Sequence, residues 1–283
     1  MSLGAGVQGF PWAGAVQAGD PVAVAALDDL PVWSAPFGQA LLESVRLRHG
    51  LRVLDVGCGL GYPLLELAAC LGPTGCCTGL DPWEAALVRA REKAWARGQA
   101  VTFVQGEAEA MPFPEGAFDL VISNNGLNNV AAVDTTLSEC FRVAAPGAQL
   151  VMTANLPGTF EGFYQAFSLV LGELGLEDRV SALQAHREAK RRPAEAWTHL
   201  VGAAGFAVES VRQETFTWSL LDGTALFRHA ALRLSFLPAW EAAAGKEAPR
   251  VLAALESRLN AMAARSGGLR LEVPFLCLSA VRP

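Results

Sequence analysis

The sequence predicts an α/β fold built around a mostly parallel, doubly wound sheet. From about residue 50 to residue 155, short apolar runs typical of strands alternate with longer amphipathic stretches typical of helices. Residues 52–61 combine a buried strand with three glycines, and Pro63 and an apolar helical stripe follow. Strands that alternate with helices form a parallel sheet, and right-handed crossovers place helices on both of its faces.

The elements of this central region can be assigned in order. Each strand is a short, mainly apolar run, and each helix carries apolar residues three or four positions apart. The Pro146–Gly147 pair ends the last of these helices before strand five. The five strands are expected at 52–56, 76–80, 101–105, 120–123 and 149–154, and the helices between them at 62–71, 83–97 and 134–144.

The two flanks of this region are less regular. Residues 1–31 are rich in Gly, Ala and Pro, and their first part is expected to be irregular. An apolar stripe from Phe37 to Val45 then predicts a helix that ends near Gly50. After strand five we expect a helix at 193–204 that stops at Gly205, a strand at 206–213, mostly helix over 216–268 and a final strand at 269–281.

Polar residues at the strand ends mark the expected ligand site. Asp55, Asp81, Glu107 and Asn124 all fall at the carboxyl ends of predicted strands. In doubly wound sheets, ligands bind beyond these ends, at the point where the strand order reverses. The glycine turn after Asp55 also offers bare backbone and a helix N-terminus. These positions together predict a binding site at one edge of the sheet.

The glycine turn departs from two nucleotide-binding motifs. Tyr62 stands where the dinucleotide motif G-x-G-x-x-G needs its last glycine. The turn contains no Lys followed by Ser or Thr, so it is not a P-loop. Asp55 lies two residues before the first glycine, and a carboxylate there suits a cationic ligand better than a pyrophosphate.

Five segments of the central region resemble motifs of the class I S-adenosylmethionine-dependent methyltransferases, of the type 11 kind. The resemblance covers about residues 50–155, and the segments occur in the family's order. They are 53–61 (VLDVGCGLG), 80–82 (LDP), 106–113 (GEAEAMPF), 118–124 (FDLVISN) and 139–147, an E-x-x-R-V-x-x-P-G turn. The resemblance implies a Rossmann-like sheet of seven strands, with an antiparallel seventh strand beside the sixth and helical cap insertions.

The resemblance also implies which residues bind S-adenosylmethionine. The glycine loop would pass close to the methionine part, Asp55 would favour the ammonium group, and Asp81 would hold the ribose. Glu107 and Ala108 would face the adenine, although the family commonly has Asp at the first of these positions. The implied cofactor-binding residues are Asp55, Gly57, Cys58, Gly59, Gly61, Asp81, Pro82, Glu107, Ala108, Asn124 and Leu127.

The acceptor side of the reaction is less defined. Asn128 and Asn129 stand where many family members carry His or aromatic residues, so a general base from that position is absent. Tyr164, His186 and His199 are the candidates for a base. Aromatic residues in 156–170 and 216–240 suggest a small, partly apolar acceptor under a helical cap. The candidate substrate-binding residues are Trp33, Phe37, Phe160, Phe163, Tyr164 and Phe167, of which the first two belong to an N-terminal segment expected over the cofactor.

Composition limits the remaining possibilities. Hydrophobic residues make up 52% of 283 positions, and the net charge of −6 argues against a general nucleic-acid surface. The six cysteines lack C-x-x-C spacing, which favours reduced cytosolic thiols, and the four histidines show no metal-ligand spacing. We see no signal peptide and no apolar run as long as a membrane span, so a cytoplasmic protein is expected.

The expected organisation is one methyltransferase domain over residues 1–283. Within it we assign an N-terminal segment at 1–48, a cofactor-binding core at 50–155, and cap or substrate regions at 156–192 and 216–268. Two other functions stay open at this point. One is an NAD-dependent oxidoreductase, which the missing G-x-G-x-x-G disfavours. The other is a non-catalytic module that binds S-adenosylmethionine or another nucleoside.

Overall fold

The computed structural model of the protein describes residues 21–28 and 32–283. Residues 1–20 and 29–31 lie outside these ranges, and with them most of the segment that was expected to be irregular. Residues 21–28 form the first helix, α1 (Pro21–Asp28).

Seven strands form a single sheet, which confirms the seven-stranded α/β fold. They are β1 (Arg52–Val56), β2 (Cys76–Asp81), β3 (Val101–Gln105), β4 (Phe118–Asn124), β5 (Ala144–Asn155), β6 (Ala207–Leu220) and β7 (Leu269–Val281). Their order across the sheet is β3-β2-β1-β4-β5-β7-β6. Strands β1 to β5 pair in parallel, and β7 runs antiparallel to β5. The order reverses between β1 and β4, so a ligand site is expected at their carboxyl ends.

The helices after α1 separate into those that precede or connect the parallel strands and those that follow β5. The first group is α2 (Ser34–Ser44), α3 (Leu64–Leu71), α4 (Glu84–Ala96) and α5 (Val133–Val143). The second group is α6 (Glu161–Glu173), α7 (Glu177–Ala189), α8 (Ala194–Ala203), α9 (Gly223–Arg228), α10 (Ala230–Ser235), α11 (Leu237–Ala244) and α12 (Ala248–Ser266).

The described chain divides into two compact units. Residues 32–160, 187–218 and 272–283 form one, which we call the sheet unit. Residues 21–28, 161–186 and 219–271 form the other, the helical unit. In the helical unit, α12 packs against α6, α9 and α11. One face of α12 is buried and includes Leu252, Leu255 and Leu259. These leucines have the three- and four-residue spacing of a helix face.

Two boundaries differ from the sequence prediction because tertiary contacts override the local pattern. Helix α2 ends at Ser44 and not near Gly50, since Val45 becomes extended and the Arg46 N–H donates to Gln149 Oε1 at 3.0 Å. Strand β5 begins at Ala144, five residues before its predicted start. Pro146 and Gly147 are contained in β5, where the pairing with β4 shifts register.

Strand β6 is the largest difference. It continues to Leu220, although residues beyond 215 were expected to be helical. Phe216 and Trp218 are two positions apart in the strand and both belong to a cluster of aromatic rings; the ring of Phe216 lies 5.4 Å from that of Phe37. A period of two is typical of a strand, and this period was missed in the sequence.

Candidate functional site

The glycine loop after β1 is held by the end of β2. The Gly57 and Cys58 N–H groups donate to the Leu80 carbonyl at 2.8 and 3.2 Å. One carboxylate oxygen of Asp81 accepts from the Gly59 N–H at 2.8 Å, and the other accepts from the Trp83 N–H at 2.8 Å. Asp81 therefore links the loop to the start of α4, and its carboxylate keeps further lone pairs for a ligand.

The three glycines of the loop differ in what surrounds them. A Cβ on Gly57 would lie 3.1 Å from the Gly126 Cα, and one on Gly61 would lie 3.0 Å from the Leu65 side chain. A Cβ on Gly59 would meet no heavy atom of the described chain within 4 Å, apart from its immediate neighbours. Gly59 also has a positive φ of 48°. The loop thus presents open backbone at Gly59 and packs against protein at the other two positions.

Asp55 is a buried carboxylate on the central strand β1. Its side chain is fully buried, and neither of its oxygens has a hydrogen-bond partner within the described residues. Burial raises its pKa well above the ordinary value, and the nearby charge of Asp81 raises it further. An unpaired buried carboxylate is costly, and a cationic group would stabilise it. The residues present therefore fit a ligand that carries an ammonium or sulfonium charge.

Asp55 leads to a prediction about pH. Because its pKa is raised in the folded state, its contribution to stability is complete below the ordinary value of 3.8 and is lost as pH rises through the raised value. The ligand-free protein should lose up to about 1.4 kcal/mol of unfolding free energy per pH unit in that interval. Asp55→Asn should reduce this slope to the part that Asp81 contributes, since burial raises the pKa of the Asp81 carboxyl as well; urea unfolding at a series of pH values measures the difference.

Asp119 supplies a control of opposite sign. It accepts hydrogen bonds from Arg52, including one from Nε at 2.9 Å, and these lower the pKa of the Asp119 carboxyl. Its contribution is present above its ordinary pKa and is lost as pH falls. Asp119→Asn should therefore lower stability at neutral pH. Equal pH slopes in the wild type and Asp55→Asn would contradict the account of Asp55.

The segment after β3 is fixed by two acidic residues. Glu109 Oε1 accepts from the Ala131 and Ala132 N–H groups at 2.8 and 3.0 Å, just before α5 begins. Glu139 pairs with Arg142, and Arg142 donates to the carbonyls of Met111 and Phe113. The E-x-x-R motif thus clamps residues 111–113. The predicted adenine-side residues precede this clamp: the Glu107 side chain is exposed and Ala108 is buried.

The remaining predicted cofactor residues lie at the same sheet edge. Pro82 follows Asp81, and its carbonyl accepts from Gln105 Nε2 at 3.2 Å. Cys58 is buried, and its Sγ fills the space that the absent side chain of Gly79 leaves. After β4, Asn124 Oδ1 accepts from the Thr153 hydroxyl at 3.0 Å, and Leu127 is fully buried. The structure therefore gathers the predicted positions around the carboxyl ends of β1 to β4.

A buried amide cluster beside Asn124 was missed in the sequence. Asn125, with a φ of 56°, accepts at Oδ1 from the Asn155 N–H at 2.9 Å. Asn128 Nδ2 donates to the side-chain oxygens of both Asn125 and Asn155. The signal available was the density of asparagines at the ends of two predicted strands. The sequence does not show which of these asparagines form hydrogen bonds with one another across β4 and β5.

Helix α2 lies against the glycine loop within the sheet unit. The Tyr62 hydroxyl donates to the Ala35 carbonyl at 3.2 Å, and Gly38 leaves room for the Tyr62 ring. Asn124 Nδ2 donates to the Ser34 carbonyl at 3.3 Å. The N-terminal part of α2 therefore touches both the glycine loop and the end of β4.

The predicted aromatic residues of α2 belong to a ring cluster in the sheet unit. Phe37 is fully buried, and its ring lies 4.9 Å from that of Phe275. The half-buried ring of Trp33 lies 5.3 Å from Phe37 and 5.8 Å from Phe160. Phe160 precedes α6 with a φ of 58°, so it does not share a helical face with the residues that follow. The three- and four-residue spacing of Phe160, Phe163, Tyr164 and Phe167 predicts one aromatic helix face, and this prediction is wrong for Phe160.

The other three aromatic candidates lie on α6 in the helical unit. Phe163, Tyr164 and Phe167 are almost completely buried. The Tyr164 hydroxyl accepts from Trp240 Nε1 at 3.2 Å and lies 3.3 Å from His186 Nε2. Their surroundings within this unit are those of a packed core.

The candidate bases are divided between the units. Tyr164 and His186 form a pair in the helical unit, whereas His199 is exposed on α8 in the sheet unit. A shallow depression of about 470 Å³ beside His199 is lined also by Thr198, Val211 and Gln213.

Among the described residues, no helix could span a membrane. The described residues likewise contain no group of three His, Cys, Asp or Glu side chains that could hold a metal ion.

Comparisons with known proteins agree with the motifs. A family model described as a methyltransferase domain matches residues 54–152. The demethylmenaquinone methyltransferase of Thermus thermophilus is 35% identical over 185 residues, which cover 60% of this chain and 79% of that protein. Its counterpart in Anoxybacillus flavithermus is 38% identical over 127 residues, 44% of this chain and 54% of that protein.

The coverage of these relatives is partial. The chain spans about half the length of several curated relatives that it matches, with 54%, 48% and 55% in three cases. Among solved structures, Haemonchus contortus phosphoethanolamine N-methyltransferase 2, in complex with S-adenosyl-L-methionine, has a TM-score of 0.58 and 18% identity. That match covers 93% of this chain and 57% of the other, and it supports the fold alone.

Proposed function

Since the chain belongs to the class I S-adenosylmethionine-dependent methyltransferases, we propose that it transfers a methyl group from S-adenosylmethionine to a small, partly apolar acceptor. One observation carries the proposal: the buried carboxylate of Asp55, which has no hydrogen-bond partner in the described part of the chain, lies beside a glycine loop whose backbone is open at Gly59. A buried anion without a partner is stabilised by a cationic ligand, and S-adenosylmethionine carries both an ammonium and a sulfonium charge.

Each polar group at the edge then has a proposed role. Asp55 favours the ammonium group, Asp81 accepts hydrogen bonds from the ribose hydroxyls, and Gly59 lets the ligand approach the backbone. Glu107 and Ala108 face the adenine, whereas Asn124 and Leu127 line the methionine part. When bound, S-adenosylmethionine supplies an activated methyl group, so the protein mainly has to position two partners and exclude water.

We propose a quinone-like or hydroquinone-like acceptor. The support comes from the relatives named demethylmenaquinone methyltransferases and from the abundance of aromatic residues outside the motif region. Apolar and aromatic side chains are the usual lining of sites for small, largely apolar ligands. Trp33, Phe37 and Phe160 are the acceptor-side residues proposed for the sheet unit. Phe163, Tyr164 and Phe167 are a separate proposal for the helical unit, taken by itself.

Calorimetry with three ligands tests the proposal. We expect wild-type protein to bind S-adenosylmethionine and S-adenosylhomocysteine and not to bind NAD. Asp81→Ala should weaken both interactions roughly 10- to 150-fold, because hydrogen bonds to a charged group contribute about 1.5–3 kcal/mol. Asp81 also accepts a hydrogen bond from the Gly59 N–H, so its loss could weaken binding through the loop. The affinities of methylthioadenosine and of its 2′-deoxy analogue should therefore be measured for both the wild type and Asp81→Ala. A ribose contact predicts that the difference between these two ligands disappears in the variant.

Two outcomes would contradict the proposal. Tight NAD binding without S-adenosylmethionine binding would favour an oxidoreductase. Binding of S-adenosylmethionine without methyl transfer to any phenolic, amine, carboxylate or quinone-like compound would favour a non-catalytic binding protein.

A further inference from the structure

The amide cluster at the ends of β4 and β5 contains one oxygen that lacks a hydrogen-bond partner among the described residues. Asn128 is about 5% exposed, and its Oδ1 has no hydrogen-bond partner among the residues that the structure covers. Its Nδ2 uses both hydrogens, one toward Asn125 Oδ1 and one toward Asn155 Oδ1. Buried polar atoms in proteins nearly always have partners, so an orphaned one points to a missing ligand or water.

The orientation of this amide follows from its neighbours. The Asn155 backbone N–H donates to Asn125 Oδ1 at 2.9 Å, which identifies that atom as an oxygen. The Asn128 atom that faces it must therefore be the nitrogen donor, and the unpartnered atom is the oxygen. The cluster consequently presents a fixed hydrogen-bond acceptor that cannot turn into a donor without breaking two bonds.

The cluster lies next to Asn124 and Leu127, on the methionine side of the proposed cofactor site, and reaches across β4 away from Asp81 and the glycine loop. The glycine loop and Asp81 follow β1 and β2, which lie on one side of β4. Asn155 is the last residue of β5, which lies on the other side of β4, and Asn128 Nδ2 donates to its side-chain oxygen. A neutral amide oxygen is also a weaker partner for an ammonium group than the carboxylate of Asp55. These points favour the methyl acceptor over the cofactor as the partner of Asn128.

We propose that Asn128 Oδ1 accepts a hydrogen bond from an O–H or N–H group of the methyl acceptor, and so selects acceptors that carry such a donor. This inference rests on the proposed function. An amide oxygen does not take up a proton, so Asn128 orients the acceptor and is not a general base. A site built to bind a substrate O–H rejects analogues without it, because the buried acceptor is then left unpaired.

The test uses two probes that differ in hydrogen-bond donors: 1,4-dihydroxynaphthalene, kept reduced, and its ether 1,4-dimethoxynaphthalene. Their affinities are measured by calorimetry in the presence of S-adenosylhomocysteine. We expect the wild type to bind the diol at least about tenfold more tightly than the ether, as one buried hydrogen bond predicts. Asn128→Leu should reduce this preference to less than about twofold, because the variant has no acceptor at that position.

Asn129→Leu is the matched control, because the neighbouring Asn129 is exposed and pairs with Lys190 at 3.1 Å. It should keep the preference of the wild type. If Asn128→Leu does not fold, Asn128→Ala is used instead. Its smaller side chain leaves room for water to donate hydrogen bonds to Asn125 Oδ1 and Asn155 Oδ1, which lose their donor.

The outcomes separate this inference from the proposed function. A wild type without preference for the diol overturns the inference, as does an Asn128 variant that keeps the preference. A variant that loses affinity for S-adenosylhomocysteine also overturns it, since the oxygen would then serve the cofactor. Failure of the wild type to bind S-adenosylhomocysteine at all would count against the proposed function, while the ratio between diol and ether would still report on Asn128.

Discussion

Gly59→Val is expected to abolish binding of S-adenosylhomocysteine, with a loss of at least about a hundredfold, or about 2.7 kcal/mol. The reason is that a branched side chain would occupy space that the described protein leaves open and the proposed ligand would fill. The fold should survive, because the added Cβ meets no described atom within 4 Å apart from its chain neighbours, and the positive φ costs only about 1–2 kcal/mol. Calorimetry and thermal unfolding on the same samples measure both effects.

Gly98 provides the control for backbone strain. It has a φ of 64°, and a Cβ there also meets no described atom within 4 Å, but it lies beyond the C-terminal end of α4. Gly98→Val should therefore lose similar stability and bind S-adenosylhomocysteine normally. If Gly59→Val binds as well as Gly98→Val does, the loop is a connection and not a ligand cradle.

Tyr164→Ala is expected to destabilise the protein by about 3–5 kcal/mol, the usual cost of truncating a buried aromatic side chain. Tyr164 is fully buried, its ring lies 5.3 Å from that of Phe163, and its hydroxyl accepts from Trp240 Nε1. Chemical denaturation measures this loss. Tyr164→Phe, which removes only the hydroxyl, should cost about 0.5–1.5 kcal/mol.

The same variants test the proposed acceptor role of Tyr164. If this residue lines the acceptor site, Tyr164→Phe should change acceptor affinity or turnover while affinity for S-adenosylhomocysteine stays constant. Normal turnover per folded molecule in Tyr164→Phe, together with a large loss of stability in Tyr164→Ala, would leave Tyr164 a purely structural residue.

The central fold could be predicted because its signals are local. Val53 and Leu54 in β1, the glycines after them and Asp81 at the end of β2 are recognisable from short stretches of sequence, and local patterns specify these elements. Most positions proposed for the cofactor follow directly from these elements. Asp55 could be predicted as a binding carboxylate, but only the three-dimensional surroundings show that it has no hydrogen-bond partner among the described residues.

The remaining features depend on contacts between distant residues. Asn125 and Asn155 are thirty positions apart, and only the pairing of β4 with β5 brings them together. Phe160 begins an apparently regular helical pattern, yet its N–H donates to the Glu272 carbonyl of β7 and its backbone is left-handed. Such pairings are long-range, and periodicity within one segment does not contain them.

The place of β7 in the sheet has a consequence for synthesis of the protein. Strand β7 lies between β5 and β6, although the ribosome makes it after both. About 60 residues separate the end of β6 at Leu220 from the end of β7 at Val281. At ~5–20 residues per second, the nascent chain spends roughly 3–12 s with the β5 edge uncovered and β6 without its neighbour. Unpaired strand edges invite association with other chains, so the nascent chain is exposed to such association during this interval.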